Sequence, residues 1–411
     1  MSSFRRACKT LKNESGAALM MAIFCVTMLM VIATEIMYET NVELAVSTQS
    51  VNNVKAHYAA VAAVEISLLR IQIYRKAAAM VGDSPLKSML DPIWQMPFAW
   101  PPVVPESTTR VNKDEINDAV KESAMQGKYA VTITPESAKI DINDLASPLK
   151  GIQDNTKKRI KDIFAAKLVN DEAFDRKFRG FDFDQLINNI KDYVDEDKAS
   201  EDGAQESLKY PNMGKADFYP PNQPFKTLQE IHMVAGMTDE IYDLLIPNIT
   251  IYGSKGINVN YASADIFKAL DPRQFTEERV QKIIEGRGDP NRGPFKDEKD
   301  FLGFLQSLGI NDEWYKDAQG KPQILLLFDA EYNFRVEATG IMGKSYKNIT
   351  AIVYDFDRVK SRMQELVEQM KPTPPPDTNK PPPQGGAPTP KKSNPAQVPN
   401  ERPNIVYWNE T

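Results

Sequence analysis

From Ala17 to Val81 the sequence contains neither glycine nor proline, and its first part, Ala17–Thr34, carries no charge. At 1.5 Å per helical residue that uncharged run spans roughly 27 Å, close to the hydrocarbon thickness of a bilayer. Arg5, Arg6, Lys9 and Lys12 precede it. The positive-inside bias therefore places the N-terminus in the cytoplasm and the rest of the chain beyond the membrane. A secretory signal peptide has a shorter apolar core with small residues after it, whereas here Ser15 and Gly16 lie before the run. Taken alone, the stretch reads as a single-pass anchor.

The helical rhythm continues past the anchor. Val51, Val54, Tyr58, Val61, Val64, Leu68 and Ile71 recur at steps of three and four, which predicts an apolar stripe. An unbroken helix from Ala17 to Ala79 is roughly 90 Å long. Such a helix cannot bury its whole length against its own domain, so its first half must pack on lipid or on other helices.

The 411 residues allow two or three domains, and 42% hydrophobic with 26% charged residues fits a mostly globular chain. A net charge of −6 disfavours a general nucleic-acid-binding role. Cys8 and Cys25 lie before and inside the apolar run, so no disulfide framework staples the remainder. "DPIWQMPFAWPPVVPE" predicts an extended connector rather than a helix. Two alternating runs, Tyr129–Thr134 and Ala138–Asn143, predict a hairpin turning at Pro135 and Ser137. Amphipathic helices follow from Ser147, and "QILLLFDAEYNFRVEATGIMGKSYKNITAIVYDFD" predicts two or three strands. From Lys371 the proline density predicts a disordered tail.

Candidate chemistry is sparse. "DYVDEDKASEDGAQES" holds Asp192, Asp195, Glu196, Asp197, Glu201, Asp202 and Glu206. Carboxylates at such spacing can ligate calcium, although the spacing is not that of an EF-hand, and a solvated acidic loop is the alternative. His57 and His232 have no partners at zinc spacing, and no P-loop or nucleophile elbow is present. "INVNYASADIFKAL", "RVQKIIEGRG" and "GPFKDEKDFLGFLQSLGI" resemble helix-hairpin-helix DNA-binding repeats. The matching hairpin, "LDPRQFTEERV", lacks glycines and carries Glu277 and Glu278 where a phosphate needs free amides. The repeat thus reads as a scaffold for protein contact, with DNA uptake as a lesser alternative.

The basic leader, Gly16, the apolar helix and its amphipathic extension together resemble the type IV pilin and pseudopilin superfamily. The resemblance implies prepilin-peptidase cleavage between Gly16 and Ala17, with Ala17 becoming a methylated N-terminus. Most relatives carry glutamate at the fifth mature position; here it is Met21, in the membrane helix with Phe24, Met28 and Val31. The family glutamate pairs with the amine of the subunit above, so its lack fits a subunit with nothing above it. In this respect the chain resembles the type II secretion K pseudopilins (GspK). "LINNIKDYVDEDKASEDGAQES", "NQPFKTLQEIHMVAGM", "INVNYASADIFKAL" and "FRVEATG", in that order, carry the same resemblance.

The resemblance implies an α+β fold: a transmembrane and stem helix, and a pilin-like antiparallel sheet with a large helix-hairpin-helix or SAM-like insertion. The boundaries are a leader (1–16), the helix (17–80), the connector and first strands (81–146), the insertion (147–320), closing strands (321–370) and the tail (371–411). It further implies a non-enzymatic tip subunit in the bacterial inner membrane with its globular domain in the periplasm. Partners would be the I and J minor pseudopilins, the major pseudopilin, prepilin peptidase and the assembly platform, without nucleic acid. A calcium site would draw on Asp192, Asp195, Asp197 and Glu206. The family shows Gly-Ala-Glu where this chain has Gly203-Ala204-Gln205-Glu206, which puts Glu206 one residue late. The alternative function is a minor pilin priming a type IV pilus.

Overall fold

The computed structural model describes residues 14–81, 90–102, 110–123, 125–200, 203–210, 220–289, 292–316, 322, 324–328, 330–370 and 402–411. Most of the leader, the acids Glu201 and Asp202, and tail residues 371–401 lie outside the described residues.

Helix α1 (Glu14–Val81) is 68 residues long, roughly 100 Å. Among the described residues it is the helix long and apolar enough to cross a membrane. Thr27 and Thr34 donate their hydroxyls to carbonyls one turn back, at Phe24, Met30 and Val31. Their polar groups are thereby satisfied within the apolar segment. Residues 16–51 are exposed, whereas from Ala56 onward one face is buried.

That face is not wholly the expected one. Val51, Val54 and Tyr58 are exposed, and the buried stripe runs through Ala56, Ala59, Ala60, Ala63, Val64, Ser67, Leu68, Ile71, Tyr74 and Ala78. The reason is close approach. Helix and sheet meet where only small residues fit, so alanines form the upper seam and the larger side chains at Val51, Val54 and Tyr58 face outward.

The sheet has five antiparallel strands in the order β1-β2-β7-β8-β9. They are β1 (Phe98–Trp100), β2 (Lys128–Pro135), β7 (Phe334–Met342), β8 (Ser345–Val353) and β9 (Ile405–Glu410). Alternation along β2 and β7 turns Tyr129, Val131, Ile133, Phe334, Val336 and Ala338 towards α1. The predicted hairpin is corrected. β2 pairs with β7, and β3 (Ile140–Asp141) pairs in parallel with β4 (Ile249–Thr250). Both edges of β2 are taken, one by β1 and the other by β7, so the following run cannot pair back on it; buried Glu136, bonded to Arg335 of β7, marks where the chain leaves the sheet.

The proline-rich connector also differs from expectation. It contains a one-turn helix, α2 (Pro92–Gln95), begun by proline at its first position, and then β1. After helix α3 (Arg110–Glu122) and β2, the insertion supplies α4 (Lys150–Asn170), α5 (Glu172–Phe178), α6 (Phe183–Val194) and α7 (Asp239–Leu245). It continues with β5 (Ile257–Asn258), α8 (Ala264–Lys268), α9 (Glu277–Gly288), α10 (Glu298–Ser307) and β6 (Leu326–Leu327); α11 (Phe356–Met370) follows β8. The tail is corrected at its end, where residues 405–410 form the fifth strand. "IVYW" is rich in β-branched and aromatic residues and finds an open edge on β8.

Two hydrophobic cores result, one between α1 and the sheet and one inside the insertion, and Tyr261 packs against both. Tyr74 of α1 and Tyr261 both donate to Asp91 Oδ1, at 3.1 and 2.8 Å, while Trp94 packs against both rings. Stem and insertion are therefore tied through one buried aromatic and polar cluster.

Candidate metal centre and assembly surface

The acidic loop begins where α6 stops. Asp182 caps the helix by accepting from Gln185 N–H, and Leu186, Ile187, Ile190, Tyr193 and Val194 anchor it in the insertion core. Asp195 is its C-cap, with an extended backbone that ends the helix there. The chain then turns back through a bridge between Ala199 and Gln205, with Gly203 at a φ of 80° that a side chain would strain. A 3-10 turn, Glu206–Lys209, follows.

This geometry brings Asp195, Asp197 and Glu206 together, with one ligand oxygen from each inside 4.8 Å of the others. Glu206 is only 1% exposed, and its Oε1 is buried with no hydrogen-bond partner among the described residues. Its Oε2 accepts from Asn222 Nδ2 at 3.0 Å, and the same amide nitrogen donates to the Asp197 carbonyl. Burial, followed by the charges of Asp195, Asp192 and Asp197, pushes the Glu206 carboxyl up to about 7 despite that hydrogen bond. Three carboxylates crowded around a buried oxygen form a site that could hold a metal ion. Oxygen-only donors suit a hard divalent cation.

Asp192 stands apart from the three. Its Oδ2 accepts from Ser200 Oγ and Lys209 Nζ at 2.5 and 3.0 Å, so its charge is balanced inside the protein. The one-residue offset does not keep Glu206 out: its carboxylate lies with those of Asp195 and Asp197, while Gln205 forms the backbone bridge to Ala199. Asn222 was not foreseen. Its role depends on a left-handed backbone (φ 51°) that brings its amide over the loop, and its only sequence signal is the "PPNQP" context.

Gly16 and Ala17 lie in the first turns of α1, and Met21, Phe24, Met28 and Val31 are all more than half exposed. Among the described residues no element covers them, so this stretch is available to lipid or to other helices. In the stretch whose sequence resembles helix-hairpin-helix repeats, the Asp271 carboxylate takes the Arg273 N–H, and Lys268 pairs with Glu277. An acid thus occupies the place where such repeats offer an amide to phosphate.

Residues 138–254, which include the acidic loop, match the family model described as type II secretion system (T2SS), protein K. Among solved structures, the crystal structure of the GspK-GspI-GspJ complex from the enterotoxigenic Escherichia coli type 2 secretion system is similar at 16% identity. The match covers 57% of this chain and 77% of that one, with a TM-score of 0.37. No curated protein gives a significant match.

Proposed function

We propose that this chain, which matches the type II secretion system protein K model over residues 138–254, is a minor pseudopilin at the tip of a periplasmic pseudopilus. The observation that carries this reading is the coupling of that region, through the sheet and the Tyr74–Asp91–Tyr261 cluster, to a helix whose first half no described element covers. A rigid stem with an exposed apolar half is built to insert among lipids and other stems. A head broadened by the insertion is built to end a stack rather than extend it.

In this reading prepilin peptidase cuts between Gly16 and Ala17, and α1 anchors the protein in the inner membrane with its N-terminus in the cytoplasm. Met21 leaves no carboxylate to pair with a subunit above. The exposed flank of the stem, including Val51, Val54 and Tyr58, packs against the stems of I-type and J-type minor pseudopilins. The work done is architectural: starting the fibre and capping it.

Calcium is the proposed ion for Asp195, Asp197 and Glu206. Their oxygens would hold it, backbone carbonyls and water completing the six to eight ligands it takes. Bound calcium would neutralise the carboxylates and fasten the loop after α6.

The experiment is co-purification of the tagged full chain from detergent-solubilised membranes with the I-type and J-type subunits expressed beside it. A stable three-subunit complex is expected. Recovery of the chain alone, with all three proteins present, contradicts the reading.

A further inference from the structure

β9 is held differently from β2, β7 and β8, which bury residues along their length. The sequence places residues 371–404 between α11 and β9, far more chain than is needed to join neighbours in a sheet. No residue of 405–410 is fully buried, whereas β8 beside it buries Ile349, Ala351, Ile352 and Val353. The ladder between them shifts register at Ile352/Val353. Tyr407 and Asn409 wall a cavity of about 100 Å³ with Arg335, Tyr252 and Ile352, so this face is not tightly packed. The two ion pairs to the stem, His57–Glu410 and Arg402–Glu65, are well exposed to solvent, where such pairs contribute little.

What holds β9 is the backbone. Asn348 and Thr411 exchange both hydrogen bonds at 2.9 Å. By antiparallel alternation the N–H and C=O groups of Thr350 and Ile352 also face β9. Removing β9 takes nothing essential from either core. Ile405 packs only at the margin of the sheet core, and β1, β2, β7 and β8 remain paired.

We propose that β9 is a detachable strap: it closes the β8 edge by strand addition, opens as one unit, and leaves an acceptor edge for an extended peptide of its own pattern. The occupant is this chain's segment 405–411. An open edge of nine paired-length residues invites indiscriminate strand pairing, and a tethered strand suppresses it. Because β9 belongs to the same chain, its pairing with β8 is intramolecular, so free strands at micromolar concentration do not displace it.

The test uses the full chain in detergent. Hydrogen exchange should show the amides of 405–411 opening together, at least a hundredfold faster than those of Phe334–Met342. Tyr407→Pro removes an N–H that faces β8 and frees the edge. A labelled peptide of sequence IVYWNET should bind this variant at micromolar concentration, and bind the unmutated chain at least tenfold more weakly. A Thr350→Cys, Asn409→Cys disulfide should abolish peptide binding and slow exchange in β9 to the level of β7. Protection of β9 equal to that of β7 in the unmutated chain overturns the proposal. So does failure of the peptide to bind a Tyr407→Pro chain whose β7 amides stay protected.

Discussion

The backbone of Gly340 in β7 lies directly against the backbone of Ala56 in the stem. A Cβ built on Gly340 would sit 2.0 Å from the Ala56 carbonyl oxygen and 2.5 Å from the Ala60 amide nitrogen. Both are main-chain atoms, so neither can swing aside. Nearby, a Cβ on Gly127 would meet the Ala59 Cβ at 3.0 Å. This contact explains the alanine seam: helix and sheet touch backbone to backbone, and the stem is seated by the absence of side chains.

Gly340→Ala should therefore destabilise the protein by about 3 kcal/mol, the upper part of the overpacking range. Gly303→Ala is the control. It lies in α10 with nothing within 4 Å of the added methyl, and should be neutral or stabilising by up to about 1 kcal/mol. Urea midpoints of the two variants measure the difference. Equal midpoints would mean that helix and sheet are not in contact at Gly340.

Calcium should raise the melting temperature of the full chain in detergent relative to chelator. A ligand that binds only the native state adds about 2.7 kcal/mol at a hundredfold excess over its dissociation constant. Asp195→Asn with Asp197→Asn should remove the response. Asp192→Asn should reduce stability with and without calcium alike, because Asp192 serves Lys209 rather than the cluster. Superimposable melts of the unmutated protein in calcium and in chelator would dismiss the site.

The long helix, the order of strands and insertion, and the acidic loop were all legible in the sequence, because each depends on local pattern. Lost were matters decided by distant partners. The seam at Ala56, Ala59, Ala60 and Ala63 was hidden because alanine carries little hydrophobic signal, while Val51 and Val54, which do, face outward. The partner of β2 lies some two hundred residues away, so the neighbouring run at Ala138–Asn143 looked like the natural mate. In the loop, Asp195, Asp197 and Glu206 could be named, but the Lys209 contact that separates Asp192 from them could not.

Glu331 supplies a pH dependence. Fully buried, it accepts from the amides of Tyr332 and Asn333 at 2.9 Å and from the Ser137 hydroxyl. Burial, opposed by those bonds and reinforced by the Glu136 charge, pushes its carboxyl up to about 7 from 4.5. Between those values the native state keeps a proton that the unfolded chain has lost. Stability therefore falls as pH rises through that window and levels off above it. The loss is at most about 3.5 kcal/mol, since one pKa unit is worth about 1.4 kcal/mol. Glu331→Gln cannot titrate, and should gain stability relative to the unmutated protein between pH 5 and pH 8. Parallel stability profiles for the two proteins across that range would refute this.

The most direct test of the pseudopilin reading is the N-terminus of the membrane-extracted protein, read by intact-mass and peptide mass spectrometry after expression with a prepilin peptidase. The account predicts a chain that begins at Ala17 and carries an N-methyl group, which leaves the uncharged helix start free to enter the fibre. A chain that still begins at Met1, or one that begins beyond Ala33, would contradict it.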